Sequence, residues 1–163
     1  MLQVPRPALW IGFAGLLPFA AGAVAVWVLP QGWNDFAQFI QMAYAACILS
    51  FMGAVHWGLA MAGTGVSGPG VARAGAPGGD SHAGMTWTRT FGSVIPPLLA
   101  WLSLVMAPLP GLILLILSFV GLFWADLQAI RLGQAPTWYL PLRKALTIGV
   151  VICLGISLMR LVM

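Results

Sequence analysis

Long apolar stretches separated by short polar connections run through the whole chain. Five of these stretches reach the roughly 20 residues that a helix needs to cross a bilayer core of ~30 Å. Residues 63–84 are rich in Gly, Pro, Ala and Ser without apolar periodicity, which predicts a flexible, exposed linker. We therefore expect an all-α fold, in which residues 1–163 form one polytopic membrane domain built as a bundle of five transmembrane helices. The predicted spans are residues 8–29, 36–62, 88–107, 111–132 and 143–162.

Prolines indicate where these helices should bend or turn. Pro18 lies in the middle of the first span, and Pro96 and Pro97 lie inside the third. Because proline has no N–H and its ring clashes with the preceding turn, we expect a bend at each site, with neighbouring helices covering the freed carbonyls. The segment "APLPG" (107–111) predicts a tight hairpin, and Asp35 is a candidate N-cap of the second helix.

The composition excludes an ordinary soluble domain. Hydrophobic residues make up 61% of the chain and charged residues 6%, whereas soluble domains carry about a quarter charged residues. The two cysteines lie inside apolar stretches and are expected to be reduced, packed thiols. The net charge of +4 comes from bases scattered singly between apolar segments, so nucleic acid is not an expected partner, whereas membrane lipids are.

The distribution of Lys and Arg predicts the orientation in the membrane. Six of the seven bases fall on one side of the predicted bundle, and only Arg160 falls on the other. Because cytoplasmic loops carry the excess of Lys and Arg, we expect the N-terminus in the cytoplasm and the C-terminus in the periplasm. The bases on the predicted cytoplasmic side are Arg6, Arg73, Arg89, Arg131, Arg143 and Lys144.

Two ionisable residues lie inside predicted spans near this cytoplasmic boundary. His56 interrupts the apolar run "GAVHWGLAM" (53–61). We expect its imidazole to share a hydrogen bond with a neighbouring helix, and the alternative is a contact with a ligand. A metal or haem site would need several ligands, and the other histidine, His82, lies in the linker. An unpaired carboxylate in lipid is costly, so Asp126 is expected to form an ion pair. The candidate partners are Arg143, Arg131 and Arg89.

The second span also carries two patterns that concern packing. Small residues recur at four-residue spacing, which favours a close contact with another helix. Gln38 shares a helix face with His56, five turns away, and this polar line fits a cavity, a subunit contact or incidental polarity equally well. The small residues are Ala46, Ser50, Ala54 and Gly58.

Three segments resemble a known family. "ILSFMGAVHWGLAM" (48–61), "SVIPPLLAWLSL" (93–104) and "DLQAIRLGQAPTWYLPLRKALT" (126–147) are similar to the small polytopic proteins of bacterial inner membranes that are related to mitochondrial transmembrane protein 69. The resemblance implies a bacterial inner membrane, but it transfers no established activity. The positions that match the family pattern are His56, Trp57, Gly58, Asp126, Arg131, Trp138, Tyr139 and Arg143.

Two classes of function remain open from the sequence. The sequence has no cofactor motif and no paired carboxylates, so we expect no enzyme activity, no cofactor and no metal. The first class of function is therefore an accessory, scaffold or assembly role on a larger membrane complex, such as a respiratory one. The alternative is binding or movement of a quinone, lipid or similar amphiphile, favoured by a pocket of ~300 Å³ or more. The residues that would line it form a candidate polar cluster: His56, Trp57, Asp126, Arg131, Trp138, Tyr139 and Arg143.

Overall fold

A computed structural model describes the backbone of residues 6–62, 87–131 and 139–163, and the side chains of residues 9–54, 93–128 and 140–163. The described chain is helical, with no strand in these ranges, and the expected linker 63–84 lies outside them. Each predicted span corresponds to helix, although the first is divided in two. The helices are α1 (Arg6–Ala14), α2 (Leu17–Val28), α3 (Trp33–Ala62), α4 (Trp87–Val105), α5 (Pro108–Arg131) and α6 (Tyr139–Val162).

Pro18 breaks the first span instead of only bending it. The helix stops at Ala14, turns at residues 15–16 and restarts at Leu17, which places Pro18 in the first turn of α2. Proline is tolerated there because its missing N–H would lack an intrahelical partner anyway. The turn exposes backbone carbonyls, and the Tyr44 hydroxyl of α3 donates to the carbonyl oxygen of Gly15 at 3.1 Å. A neighbouring helix therefore covers the break, as lipid requires.

The start of α3 differs from the prediction. The helix begins at Trp33, so Asp35 lies within its first turn and is not the N-cap. The side-chain oxygen of Asn34 accepts instead from the backbone N–H groups of Gly32 and Asp35, at 3.2 and 2.8 Å. Gly32 has a φ of 91°, a left-handed conformation that costs glycine little because it has no Cβ. This left-handed turn at Gly32 sets the start of α3 at Trp33, and the apolar pattern of the sequence does not reveal it.

The bundle is organised around α3. This helix packs against α2, α4 and α5, while α6 packs against α1, α2 and α5 and so closes the other side. The core contains Phe19 of α2, Leu49 of α3, Leu115 of α5 and Leu154 of α6. Large apolar side chains also cover the outer surface, for example Trp124, which is 64% exposed. Such an apolar exterior is stable when the surrounding medium is lipid.

Four described helical segments are long and apolar enough to span a membrane. The described apolar part of α4, Ser93–Val105, is shorter, although α4 itself has 19 residues. The structure therefore supports a multi-pass helical membrane protein, while the count of five spans stays a prediction. The four segments are Leu9–Val28, Trp33–Ala54, Pro108–Gln128 and Leu140–Val162.

The small-residue stripe expected on α3 does not form one contact surface. Ala46 is buried, whereas Ala54 is exposed. The Ser50 hydroxyl donates back to the carbonyl of Ala46 at 2.8 Å, within the same helix. Four-residue spacing drifts around a helix of 3.6 residues per turn, so such a stripe leaves the contact face within a few turns. The side chain at the fourth position, Gly58, lies outside the described residues.

The close approach of α3 to α4 occurs at Gly53 instead. A Cβ at this position would lie 3.0 Å from the carbonyl oxygen of Ser93 and 3.1 Å from both Pro96 and Pro97. Because Pro97 has no N–H, the Ser93 carbonyl loses its usual intrahelical donor. Glycine allows the backbone of α3 to cover this turn, which explains in physical terms why "GAVHWG" begins with that residue. The prediction that a neighbouring helix covers the proline turn is confirmed at Ser93.

Candidate functional site

A buried ion pair joins α5 to α6. The Nε of Arg143 donates to Oδ2 of Asp126 at 2.6 Å, and both residues are about 95% buried, with exposed fractions of 5% and 3%. The Nη1 of Arg143 also contacts the sulfur of Met52 on α3. The ion pair predicted for Asp126 is therefore confirmed, with Arg143 as the partner among the three candidates. The ion pair and the Met52 contact together link α3, α5 and α6 at one depth in the bundle.

Chain connectivity explains why these two residues meet. Asp126 lies five residues before the end of α5, and Arg143 lies four residues after the start of α6. The two helices pack against each other and are joined by only residues 132–138. They therefore run antiparallel, and positions near the connection reach the same depth. Breaking such a pair leaves an uncompensated charge in an apolar interior, which typically costs ~3–5 kcal/mol.

A cleft of about 170 Å³ lies beside this ion pair, and we call it the Arg143 cleft. It lies between the broken first span, α3, α5 and α6, and the residues that line it are apolar except Arg143 and Thr147. The volume is below the ~300 Å³ at which pockets for drug-sized ligands begin. Residues that enclose it include Leu16, Phe19, Met52, Phe119, Leu146 and Val150.

The remaining members of the predicted polar cluster lie outside the described side chains. His56 and Trp57 belong to the helical backbone of α3, His56 four residues after Met52. Arg131 is the last residue of α5 and Tyr139 the first residue of α6, whereas Trp138 lies in the segment outside the described residues. The structure thus brings together Asp126 and Arg143, and convergence of the other five on them stays a prediction.

A second polar contact, centred on Gln41, was missed by sequence reasoning. Its Nε2 donates to the carbonyl oxygen of Phe19 at 3.0 Å, and its Oε1 accepts from the Ser157 hydroxyl at 2.6 Å. Gln41 is 1% exposed, so one amide links α2, α3 and α6 in the middle of the bundle. The available signal was the recurrence of polar residues Gln38, Gln41 and Tyr44 at three-residue spacing on an apolar helix. That spacing keeps them on one side of the helix.

Gln38 has a different environment from Gln41. It is 3% exposed, and neither atom of its amide has a hydrogen-bond partner among the residues that the structure describes. It lines a cavity of about 130 Å³ with Asp35, Met42, Met106 and Leu161, at the end of the bundle opposite the ion pair. Of the interpretations of the Gln38–His56 line, the cavity is the one with a structural counterpart at Gln38.

The two glutamines should respond oppositely to the same substitution. Gln41→Met removes two interhelical hydrogen bonds and should lower the free energy of unfolding by about 1–2 kcal/mol. Gln38→Met removes an unsatisfied amide and should leave the free energy of unfolding unchanged or raise it by up to about 1 kcal/mol. A reversible SDS titration in mixed micelles, followed by circular dichroism, measures both. Equal losses for the two variants would contradict the difference in their hydrogen bonding.

Metal and cofactor ligands do not gather in the described part of the chain. Within those residues no three His, Cys, Asp or Glu side chains lie close enough to hold a metal ion. Both cysteines are unpaired thiols; Cys153 on α6 is partly buried, whereas Cys47 on α3 is exposed, so the expectation that both are packed is wrong for Cys47. Besides the ion pair, the Gln41 contact and the Gln38 amide, two hydroxyl-bearing residues lie at features described above, Thr147 at the Arg143 cleft and Tyr44 at the helix break.

The long apolar helices, the apolar exterior and the buried polar links between helices define a multi-pass α-helical membrane protein. A family model described as "Protein of unknown function (DUF3429)" matches residues 4–159, and the chain belongs to this family. The family resemblance read from its motifs is thereby confirmed.

Curated relatives carry the name transmembrane protein 69. The protein from Xenopus tropicalis is 32% identical over 160 residues, which cover 97% of this chain and 56% of the relative. The protein from Mus musculus is 39% identical over 61 residues, which cover 37% of this chain and 24% of the relative. The chain therefore spans about half the length of the Xenopus relative and less of the mouse one. No solved structure matches the chain significantly.

Proposed function

We propose that the chain crosses a bacterial inner membrane five times, with the N-terminus in the cytoplasm and the C-terminus in the periplasm. The 19 residues of α4 support the fifth span. At 1.5 Å per residue they rise ~28 Å, close to the ~30 Å of a bilayer core. The six-to-one distribution of bases supports the orientation, and the motif resemblance supports the bacterial inner membrane.

Reporter fusions test this topology. Alkaline phosphatase fused after Met163 should be active and a fluorescent protein that matures only in the cytoplasm should be dark, because the C-terminus is placed in the periplasm. Matched fusions within the linker 63–84 should give the reverse pattern. An inactive phosphatase fusion at Met163, together with a fluorescent cytoplasmic reporter at the same position, would overturn the five-span orientation.

Within that membrane, we propose a non-enzymatic accessory or assembly role, in which the bundle binds a transmembrane helix of a partner protein. One observation carries this proposal: a lateral groove of about 480 Å³ between α2 and α3. Its floor contains Ala21, Gly22, Ala25 and Ala37. Small residues of this kind allow the backbones of membrane helices to approach closely.

The rim of the groove favours a protein helix as the occupant. Trp33, Phe36 and Ile40 stand at its edge and are 65%, 57% and 49% exposed. Large rim residues around a floor of small ones provide the knobs and holes that helix packing uses. Gln41, a polar side chain that lines the groove, is already engaged in holding the bundle together through its hydrogen bonds with Phe19 and Ser157. The groove thus suits packing.

Site-specific photo-cross-linking tests the groove in cells. A benzophenone amino acid at Ala21 should cross-link to a transmembrane segment of one defined partner. The same probe at Ile113, which is 40% exposed on α5 and does not line the groove, is the matched control and should give no such product. Ala25→Trp fills the floor and should abolish the cross-link without lowering the abundance of the protein. Equal products at Ala21 and Ile113, products only with lipid, or products only with a second copy of this chain would contradict a partner helix.

The same proposal expects no intrinsic enzyme activity. His56→Ala, compared with the wild-type chain at equal abundance, should leave every metabolite turnover unchanged in untargeted metabolite profiling. A specific turnover lost in this variant, with partner cross-linking at Ala21 retained, would show that the chain carries an active site.

A further inference from the structure

We propose that the Arg143 cleft binds the ring of a lipophilic quinone, with the isoprenoid or alkyl tail in the surrounding lipid. This site goes beyond the partner-binding role and lies on a different part of the surface from the α2–α3 groove. The cleft measures about 170 Å³. An apolar protein cavity of about 150 Å³ lined by Leu, Ile and Phe accepts benzene. The volume therefore suits one six-membered ring and excludes larger, fused headgroups.

The walls of the cleft favour a planar ring over an acyl chain. Phe19 and Phe119 line it and stand edge to face, with centroids 6.3 Å apart and planes at 83°. Both are nearly fully buried, so their orientation is fixed by the core. A planar ring gains edge and face contacts with such phenylalanines beyond simple area burial. A third aromatic residue, Phe51, lines the cleft from α3.

The polar residues favour a neutral carbonyl as the group that binds there. Arg143 and Asp126 together carry no net charge, so this pair offers an anionic headgroup no excess positive charge. The guanidinium contacts the thioether of Met52, which is a weak acceptor. A carbonyl oxygen is a stronger acceptor and would displace the flexible Met52 side chain from Arg143. Thr147 supplies a hydroxyl donor on the same wall.

The surface residues at the cleft provide a route for the tail. Ile11 and Phe51 line the cleft and are 75% and 64% exposed, so the cleft reaches the lipid-facing surface between the broken first span and α3. The break between α1 and α2 lies at this side of the cleft, where Gly15 and Leu16 line it. A ring can therefore enter from the bilayer while its tail stays in lipid.

Photoaffinity labelling of the full chain tests the site. The protein is placed in quinone-free phosphatidylcholine nanodiscs and labelled with an azido-substituted decyl-benzoquinone, and the labelled peptides are mapped by mass spectrometry. Labelling should saturate and fall on α1, α3 and α6 segments that line the cleft. Decyl-benzoquinone should compete, whereas decylbenzene, which has a planar six-membered ring and the same chain but no carbonyls, should compete much more weakly.

Two cleft variants and one control variant link the labelling to the cleft. Leu146→Trp fills the cleft and should abolish saturable labelling, whereas Ile148→Trp, on the 49% exposed side of the same helix, should not. Thr147→Val keeps the size of the side chain, removes the hydroxyl and should weaken competition about three- to tenfold; it decides the matter if Leu146→Trp does not fold. Labelling that does not saturate, labelling that persists in a folded Leu146→Trp variant, or competition that is unchanged in Thr147→Val would overturn the site. Equal competition by decylbenzene or hexadecanoic acid would overturn the quinone assignment.

Discussion

Asp126→Leu should lower the free energy of unfolding by about 3–5 kcal/mol, because it leaves the Arg143 guanidinium buried without its carboxylate. Arg143 is 5% exposed and its Nε lies 2.6 Å from Asp126, so the side chain has little access to a replacement partner in water. A reversible SDS titration in mixed micelles gives the free energy. Arg143→Met should cost a similar amount, since it removes the cation that lies against the buried carboxylate.

The double variant is the matched control for this prediction. Asp126→Leu combined with Arg143→Met removes both charges and should recover most of the loss, to within about 1 kcal/mol of the wild-type chain, because apolar residues of similar volume replace buried pairs well. The coupling between the sites would then be large and favourable. Losses that simply add in the double variant would show that the two charges do not depend on each other.

Gly111→Ala should lower the free energy of unfolding by about 2–3 kcal/mol, because the added Cβ would overlap with backbone. At this position in the first turn of α5, a Cβ would meet the carbonyl oxygen of Ser103 at far less than van der Waals separation, and the methyl of Met42 at 2.7 Å. A side-chain tip could move aside, but the α4 backbone at Ser103 is held by the two-residue connection to α5. The same titration measures the loss.

Gly121→Ala provides the comparison on the same helix. A Cβ at Gly121 would meet nothing within 4 Å, so alanine adds no clash there. Because glycine in the middle of a helix is less favourable than alanine, this variant should raise stability by about 0.5–1 kcal/mol. Similar losses at Gly111 and Gly121 would mean that the tight α4–α5 turn does not depend on the missing side chain.

The candidate site was predictable from the sequence as a class of interaction, and its partner was not. A lone carboxylate in an apolar helix requires a cation, which follows from desolvation alone. By their positions in the sequence, three arginines were possible partners. The pairing with Arg143 depends on how α5 packs on α6. The contact between Arg143 and Met52 was not predictable at all, because it joins residues 91 positions apart.

Local patterns predicted helix ends less well than helix identity. The expected starts at residues 36, 111 and 143 became Trp33, Pro108 and Tyr139. Proline is well suited to the first helical turn, so Pro108 begins α5 and Pro141 lies in the first turn of α6. Apolar content alone does not mark those turns, since a helix continues into its polar or proline-containing first residues.

By itself, the sequence determined that this protein is helical and belongs in a membrane, because 61% hydrophobic and 6% charged residues suit lipid and the lengths of the apolar stretches match a bilayer. It also predicted a bend near Pro18, since the missing N–H is a local property, although the structure breaks the helix at residues 15–16. The tertiary structure decided which polar groups meet: Gln41 with Ser157, and Asp126 with Arg143. It also decided that α3 approaches α4 most closely at Gly53 and not along the regular small-residue stripe. These outcomes depend on how helices distant in sequence rotate and pack, which periodicity within one helix does not encode.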